Sequence, residues 1–227
     1  MKKTIVLSLG GSLIIPNGID TDFLKKFRTT VLTEVKKGTR FIIVTGGGDA
    51  ARKYQAAAKK VAKTSAQDLD WVGIAATKMN AELIRAIFGQ QAHSAILTDP
   101  NKKAKTNKKV LVGSGWVPGF SSDMDAVILA KTYGAQKVIN LSNIPYVYTA
   151  DPRKVKSARP IKEMTWDEFL DLTGRKWKPG AHVPFDPEAS KFAKKHGMTV
   201  VITKGTDIAN FKKILKGHKA KGTKIVD

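Results

Sequence analysis

The stretch VTGGGDAARKY, residues 44–54, joins an apolar run to a helix-forming run through three consecutive glycines. Glycine weakens strands and helices alike, because it has no side chain to pack and loses the most backbone freedom on folding. Three in succession therefore indicate a place where the backbone must approach something closely. The run FIIVT before them (41–45) predicts a buried strand, and the alanine-rich run after them (49–62) predicts a helix.

The same succession of strand, turn and helix continues along most of the chain. Apolar runs typical of strands are TIVLSLG (4–10), SAILT (94–98), KVLVG (109–113), KVINL (137–141), TVVIT (199–203) and TKIV (223–226). Helical patterns cover 20–37, 66–89, 122–134, 186–197 and 207–217, and YVYTADP (146–152) is typical of one arm of a small ribbon. Helices alternating with apolar strands predict an α/β fold, a three-layer αβα sandwich around a mainly parallel central sheet.

Three glycine turns follow predicted strands, at Gly10-Gly11, at Gly46–Gly48 and at Gly113–Gly119. Ligands of parallel sheets gather at the carboxyl ends of the strands, so we expect the three turns to face one crevice. A glycine turn that opens a helix offers bare backbone N–H groups and the positive end of the helix dipole, which suit phosphate. Arg52 follows the triple glycine by one helical turn, where its guanidinium is expected to clamp such a phosphate.

The net charge of this chain is strongly positive, +21 over 227 residues, which favours polyanionic partners. Much of the excess lies in the lysine-rich loop Asn101–Lys109 and in the tail Lys212–Lys224. No aromatic residue interleaves with these lysines to stack nucleic-acid bases. We therefore interpret them as solvated side chains, and nucleic-acid binding through the lysine-rich loop is an alternative that the pattern does not favour.

Several classes of protein are disfavoured by the composition. The chain has no cysteine, which excludes disulfides and thiolate sites, and its four histidines (93, 182, 196 and 218) lack metal-ligand spacing, so no protein metal centre is predicted. No apolar run reaches the ~20 residues that span a bilayer. The start, 1–18, imitates a secretory signal, but glycines interrupt it and no cleavage site follows, which favours a first strand. We expect a soluble, cytoplasmic protein with no membrane partner.

The common phosphate-binding motifs are absent: neither a P-loop, nor G-x-G-x-x-G, nor the protein-kinase H-R-D loop occurs. Five segments instead resemble, in order, the amino-acid kinase superfamily: LSLGGS (7–12), VTGGGDAARKY (44–54), DWVGIAATKMNA (70–81), GSGWVPGFSSD (113–123) and VYTADPRK (147–154). More narrowly they are similar to the archaeal-type uridylate kinases, which pass a phosphoryl group from ATP to UMP. The resemblance implies a single amino-acid-kinase-like domain over 1–227, with an acceptor-binding lobe (1–135) and an ATP-binding lobe (136–227).

The resemblance also implies the binding residues. For ATP they are Gly10, Gly11, Ser12, Gly48, Arg52, Asn143, Tyr148 and Asp151. For UMP they are Gly47, Asp70 as the ribose contact, and the acceptor loop formed by Ser114, Gly115, Trp116, Val117, Pro118, Gly119, Phe120, Ser121 and Ser122. Arg52 and Asp123 are the implied catalytic residues, the second orienting the loops or a bound cation.

The implied chemistry agrees with this inventory. The acceptor is already a phosphate oxyanion, so no general base is needed, and catalysis consists of aligning two phosphates and neutralising their charge. Mg²⁺ carried with ATP is the implied cofactor, and no protein metal ligand is assigned. The implied partners are ATP, UMP and further copies of the chain, since uridylate kinases of this type are commonly hexamers.

Three segments depart from the family pattern. Ser8 stands where many relatives have a lysine, and Lys191 is a candidate to supply the missing charge. Pro145 and Tyr146 replace an Asp-Gly pair beside the implied ATP site. Trp116 lies in an acceptor loop that is longer by one residue, which leaves the choice of nucleoside open.

Two kinds of alternative stay open at this point. One is another small-molecule kinase of the superfamily, of the isopentenyl phosphate or fosfomycin type. Isopentenyl phosphate kinases have a histidine soon after the triple glycine, and none occurs here between Gly46 and Gln91. The other is a catalytically impaired homologue that binds nucleic acid or regulates, suggested by the charge, by Ser8 and by the replaced Asp-Gly pair.

Overall fold

The computed structural model describes residues 3–176 and 183–227. The described residues form the strands β1 Thr4–Leu9, β2 Arg40–Thr45, β3 Val110–Gly113, β4 Lys137–Ser142, β5 Val147–Tyr148, β6 Pro160–Ile161, β7 Glu163–Thr165, β8 Thr199–Lys204 and β9 Thr223–Val226. Their α-helices are α1 Gly11–Ile14, α2 Thr21–Lys36, α3 Gly48–Val61, α4 Ala66–Phe88, α5 Ser122–Tyr133, α6 Trp166–Thr173, α7 Pro187–Lys195 and α8 Ile208–Lys216.

Seven strands form one sheet in the order β3-β2-β1-β4-β8-β9-β7, and β5 pairs with β6 in a small antiparallel ribbon. All neighbours in the large sheet are parallel except β8 and β9. Strand β1 lies between β2 and β4, so the turn that follows it meets turns from both neighbours. This arrangement confirms the predicted mainly parallel α/β sandwich.

Successive side chains of a strand point to opposite faces of the sheet, and helices bury both faces. Val6 belongs to a core under α5, α6 and α7, whereas Ile5 and Leu7 belong to a second core under α2, α4 and α8. Phe27 anchors the second core, with its ring stacked on Phe211 at a centroid distance of 6.1 Å. Two layers of helices therefore hold the carboxyl ends of the strands in fixed positions.

Most predicted elements agree with the structure to within a residue or two, but one predicted strand is wrong. The segment 94–98 forms no strand, and two isolated bridges, Ala92 to Val110 and Leu97 to Gly113, connect this region to β3. A bend at 94–95 separates the bridges and interrupts the ladder. The residues of the bend are exposed and would bury no side chain by pairing. A short apolar run was therefore not enough to predict a strand.

Helix α6 and strand β7 were missed by the sequence interpretation. Thr165 caps α6 by accepting a hydrogen bond from the backbone N–H of Glu168, whose carboxylate in turn accepts from the N–H of Thr165. This reciprocal pair is a capping box, a pattern of threonine followed three residues later by glutamate. The signal was present in the sequence as T-W-D-E and would have located the helix start.

The triple glycine packs against the first glycine turn, backbone to backbone. The N–H of Gly46 donates to the carbonyl of Leu9 at 3.0 Å. A Cβ atom added to Gly11 would lie 2.1 Å from the nitrogen of Gly48, and one added to Gly48 would lie 2.4 Å from the carbonyl oxygen of Gly11. The close partner that excludes side chains here is therefore, first of all, another loop of the same chain.

Alanine at Gly48 tests this contact against a matched control. Gly48 and Gly134 have nearly the same left-handed backbone, φ +66° and +69°, but a Cβ at Gly134 meets nothing within 4 Å. Gly134→Ala should lower the free energy of unfolding by about 1 kcal/mol through backbone strain alone. Gly48→Ala adds the clash and should cost about 2–4 kcal/mol in urea denaturation. Equal losses in the two variants would contradict the contact.

Candidate functional site

The second and third glycine turns line one cavity of about 210 Å³, here named the glycine cleft. Six residues that the sequence assigned to nucleotide binding line it: Gly47, Gly48, Asp70, Gly115, Phe120 and Ser122. Ala51, Gln55, Gly73, Ile74 and Thr77 complete its walls. The first turn reaches the cleft indirectly, through the contact between Gly11 and Gly48. The three turns therefore meet at one edge of the sheet.

Helix α4 holds the acceptor loop in place through two hydrogen bonds. The N–H of Gly115 donates to Thr77 Oγ1 at 2.8 Å, and the N–H of Gly119 donates to Asp70 Oδ2 at 2.9 Å. Asp70 and Thr77 lie two helical turns apart, so they share one face of α4. A Cβ on Gly115 would lie 3.0 Å from Thr77 Oγ1, which explains why glycine stands there. The loop lies against the helix, and the cleft lies between them.

A third polar residue on the same helix supports the triple glycine. Asn80 is buried and donates from Nδ2 to the carbonyl oxygens of Gly46 at 2.7 Å and Gly47 at 3.3 Å. Thr45 Oγ1, also buried, donates to the carbonyl of Thr77 at 2.9 Å. The sequence interpretation missed these positioning residues. The signal for Asn80 was its place on the same face of α4 as Asp70, Gly73 and Thr77, at spacings of three and four residues.

Helix α3 presents its N-terminus to the cleft without a capping side chain. Gly47 occupies the N-cap position and has no side chain that could cap the helix. The first amides of α3 therefore keep the capacity to bind an anion. Arg52 lies in the second turn, with Nη2 at 3.7 Å from Asp49 Oδ1, and 57% of its side chain is exposed. The carboxylate of Asp49 also pairs with Lys53 Nζ at 2.7 Å. Arg52 thus lies beside the cleft and does not line it.

Asp123 lies beside the two neighbouring central strands β1 and β4. Its Oδ1 accepts hydrogen bonds from Ser8 Oγ at 2.9 Å and Asn140 Nδ2 at 3.3 Å, and its Oδ2 accepts from the N–H of Asp186 at 3.2 Å. Ser8 and Asn140 are direct partners in the register of β1 and β4. Asp123 does not cap α5; Ser121 does, by accepting from the N–H of Met124. Ser8 therefore contributes a hydrogen bond, but no charge, to the carboxyl group of Asp123.

The environment of Asp123 favours its neutral form. Its pKa is raised to about 7. Burial is the largest cause and the nearby carboxyl group of Asp186 adds to it, while the hydrogen bonds from Ser8 and from the N–H of Asp186 oppose the shift. Asp186 caps α7 by accepting from the N–H of Ala189 at 2.8 Å, and burial raises its pKa as well. Two acids in one desolvated corner disfavour simultaneous ionisation, so a cation or a proton is favoured there.

Asp125 is a buried acid of a different kind. Its side chain is fully buried, and neither carboxyl oxygen has a hydrogen-bond partner among the described residues. Its pKa is raised to about 7, mainly by burial and in smaller part by the charge of Asp123. The nearby amide of Trp116 opposes the shift without forming a hydrogen bond of good geometry. Asp125 lies beneath the acceptor loop. The sequence interpretation did not single it out.

The remaining residues assigned from the sequence lie around the cleft or apart from it. Among the described residues, Asn143, Tyr148 and Asp151 do not line the glycine cleft. Asp151 is held by Arg153, whose guanidinium hydrogen bonds lower its pKa to about 2. Ser12 lies in α1, and Ser114 is buried behind the cleft. Val117 and Pro118 are half-buried in the acceptor loop.

The departures from the family pattern have definite places. Trp116 packs edge-on against Phe120 at a centroid distance of 5.1 Å, and Phe120 lines the cleft. Tyr146 packs edge-on against Tyr148 at 6.4 Å. Lys191 is exposed and pairs with Glu188 at 2.8 Å, one turn outside the Asp123 corner. His182 lies outside the described residues.

Comparison with known proteins identifies the family. Residues 3–204 match the model of the Amino acid kinase family. A uridylate kinase of Methanospirillum hungatei is 34% identical over 224 residues, 97% of this chain and 93% of that protein. A uridylate kinase of Pyrococcus abyssi is 31% identical over 97% of this chain and 98% of its own. The chain belongs to the amino acid kinase family, and the resemblance drawn from the five segments is confirmed.

A solved structure agrees with this assignment. The uridylate kinase of Archaeoglobus fulgidus superposes on this chain with a TM-score of 0.84 and 30% identity, over 100% of both chains. The UMP kinase of Ureaplasma parvum shares the fold, with a TM-score of 0.81 at 18% identity. None of the described helices is long and apolar enough to cross a membrane.

Asp125→Asn tests the buried acid beneath the acceptor loop. The folded-state pKa of about 7 exceeds the ordinary 3.8, so the native state holds the proton more tightly, and stability falls as pH rises between these values. The variant should lack this loss, so its free energy of unfolding should match the parent's near pH 4 and exceed it by about 1–3 kcal/mol near pH 8.

Urea denaturation at both pH values measures the difference. Asp22→Asn on α2, where the Asp22 side chain is 81% exposed, is the matched control and should change stability little at either pH. A gap between Asp125→Asn and the parent that does not grow with pH would contradict the assignment.

Proposed function

We propose that this protein is a uridylate kinase, which transfers the γ-phosphoryl group of ATP to UMP. The observation that carries the proposal is the meeting of three glycine turns at one edge of the sheet, with Asp70 in the cleft they border. Support also comes from relatives named uridylate kinase that match nearly the whole chain. Such an enzyme acts in pyrimidine nucleotide biosynthesis, and we propose a cytoplasmic location.

The glycine cleft is the proposed acceptor site. Gly47 and the uncapped first amides of α3 suit the phosphate of UMP. Asp70 Oδ1 is left to accept from a ribose hydroxyl while Oδ2 accepts from Gly119. The acceptor loop, residues 114–122, would then wrap the base, with Phe120 and Trp116 as apolar surfaces. This assigns acceptor binding to the half of the chain formed by residues 1–135.

The proposed ATP site lies across β1 and β4. Gly10, Gly11, Ser12 and Gly48 would hold the ATP phosphates. Asn143, Tyr148 and Asp151 follow β4 and would hold the nucleoside, so that residues 136–227 form the ATP-binding half. Asp151 suits a polar contact, because its carboxylate is ionised at neutral pH and Arg153 holds it in place. The contact of Gly11 with Gly48 would bring donor and acceptor phosphates together.

Arg52 and Asp123 are the proposed catalytic residues. Arg52 is mostly exposed and only loosely held by Asp49, so its guanidinium is free to swing onto a phosphate at the start of α3. Asp123 lies on the opposite side, where β1, β4 and the start of α7 meet. No general base is required, because the acceptor oxygen is already anionic. The residues align the two phosphates and balance their charge.

Mg²⁺ is the cofactor that this chemistry implies, and the Asp123 corner fits it. Asp123 and Asp186 offer hard oxygen donors whose mutual repulsion a cation would relieve. Within residues 3–176 and 183–227, no group of three or more acidic or histidine side chains could hold a metal alone, so the ATP phosphates would supply other ligands. The bound ion would neutralise charge on the transferring phosphoryl group.

A homo-oligomer is the proposed assembly, and a hexamer is the form that the resemblance implies. Exposed apolar side chains on α3 and α4 support an interface in this region: Tyr54, Val61, Trp71 and Met79. Exposed groups of this kind commonly mark contacts between proteins. Light scattering of the purified protein would measure the state directly.

The direct test is an ADP-release assay with ATP and a panel of acceptors: UMP, CMP, AMP, GMP, isopentenyl phosphate and fosfomycin. We expect the highest kcat/KM with UMP. ADP formation only with isopentenyl phosphate or fosfomycin would refute the proposal, and so would no turnover with any acceptor.

Arg52→Ala tests the catalytic role. Removing a charge that acts on the transferring phosphate should lower kcat by about 100-fold or more while leaving the thermal transition unchanged. Lys53→Ala is the matched control, because Lys53 is the next residue, is exposed and pairs with the same Asp49. Full turnover in Arg52→Ala, or an equal loss in Lys53→Ala, would contradict the assignment.

Asp70 substitutions separate a ribose contact from the tie to Gly119. Asp70→Ala should raise the KM for UMP about 10-fold or more with a smaller effect on kcat, because the ribose is remote from the transferred group. Asp70→Asn keeps an oxygen for the N–H of Gly119 and should recover part of the loss. A rise confined to the KM for ATP would contradict this role.

A further inference from the structure

A second, larger cavity lies along the flank of α8, and we name it the basic groove. Its volume is about 800 Å³, and it shares no lining residue with the glycine cleft. Its floor is apolar, with Val201 from β8, Ile214 from α8 and Ala220 beyond the helix. Strands β9 and β7 form the opposite wall through Lys224 and Glu163. Residues of several strands and of a helix therefore form the groove, and no single loop encloses it.

The lining of the basic groove is strongly cationic. Six lysines line it, Lys137, Lys162, Lys213, Lys219, Lys221 and Lys224, together with His218. Its two acids are already engaged: Glu163 pairs with Lys224 at 3.1 Å, and Asp207 caps α8 by accepting from the N–H of Asn210 at 3.0 Å. The other five lysine side chains make no hydrogen bond or ion pair with any described residue. Five ammonium groups therefore border one concavity without counter-charges.

Lys137 shows the cost of this arrangement. It is half-buried at the start of β4, and burial, followed by the like charges of Lys3 and Lys224, lowers its pKa. Lys3 is fixed nearby because its Nζ donates to the carbonyl of Leu215 at 3.0 Å. A chain free to place these charges apart would gain stability, whereas an anion in the groove would offset the repulsion.

The size and composition of the groove select the kind of anion. A cavity of about 800 Å³ lies within the range of small-ligand sites. Single-stranded nucleic acid needs successive aromatic surfaces for its bases, and Tyr146 is the one phenylalanine, tyrosine or tryptophan among the described residues that line the groove. A compact ligand with several phosphates and one aromatic base matches five ammonium groups beside Tyr146.

We propose that the basic groove is a second anion site, separate from the glycine cleft, that binds a small polyphosphorylated ligand of the nucleoside triphosphate class. Tyr146 would contact the ring of such a ligand, and the lysines its phosphates. Tyr146 also packs on Tyr148, so an occupant would lie beside the segment that we assign to ATP. Binding at the groove does not depend on the proposed kinase activity.

Site-resolved lysine acetylation tests the proposal without an activity readout. The protein is treated with an amine-acylating reagent, and mass spectrometry follows each lysine with and without inorganic tripolyphosphate or UTP. We expect both ligands to slow modification of Lys137, Lys162 and Lys213 by about fivefold or more, through charge-assisted contacts. Lysines of the lysine-rich loop, such as Lys103, should react at unchanged rates.

Matched variants locate the effect. Lys162→Gln/Lys213→Gln/Lys221→Gln should abolish the protection of Lys137, which remains as the reporter. Lys59→Gln/Lys60→Gln/Lys63→Gln removes the same charge from exposed positions at the end of α3 and should leave the protection intact. Far-ultraviolet circular dichroism checks that both variants are folded.

Three results would overturn the proposal. One is no protection of the groove lysines by either ligand. Another is protection spread equally over groove and loop lysines, the sign of nonspecific charge screening. The third is protection of both regions by a single-stranded RNA oligonucleotide where tripolyphosphate protects neither. Failure of the acceptor-panel assay would leave these results unaffected, so the two proposals fail separately.

Discussion

The contact between the turns at Gly11 and Gly48 is the constraint on which the rest of the site depends. Parallel strands β1 and β2 deliver two loops to the same edge, and the loops approach so closely that neither position tolerates a Cβ atom. Because both backbones are fixed there, the amides at the start of α3 have a defined direction. Asn80 completes the arrangement from below by binding the carbonyls of the triple glycine.

On the other side of β1, hydrogen bonds to Asp123 form a second contact between distant segments. Ser8 and Asn140 lie in register on neighbouring strands and both donate to Asp123, while the start of α7 donates through Asp186. The carboxyl group thereby ties together elements that are far apart in sequence. A lysine at position 8 would bring a permanent positive charge to this corner, whereas with serine the charge of the corner depends on a proton or a bound cation.

Periodicity and glycine placement were enough to predict the α/β sandwich and the meeting of its turns. They succeeded because a parallel sheet forces the carboxyl ends of its strands to one edge. The prediction of a strand at 94–98 failed because short apolar runs carry no information about bends. Asp125 and Thr77 escaped notice since their importance arises from burial, which depends on the packing of helices α4 and α5.

Assigning roles within the site needed more than local pattern. The family resemblance assigned Asp70 to the ribose, but the sequence could not show that the acceptor loop already occupies one of its oxygens. Nor could it show that Trp116 and Phe120 pair with each other. Asp70 and Gly119 are 49 residues apart in the sequence, and only the folded chain brings them together.

The bond between Asp70 and Gly119 has a consequence for selectivity. The N–H of Gly119 already occupies Oδ2 of Asp70. In the proposed acceptor site, a sugar hydroxyl at Oδ2 would have to replace this N–H, so the nucleotide would exchange one hydrogen bond for another and gain little net free energy from that oxygen. Discrimination between ribose and deoxyribose at Oδ2 would therefore be shallow, and it would fall mainly to Oδ1. A self-occupied carboxylate of this kind keeps the empty enzyme ordered at the expense of tight binding.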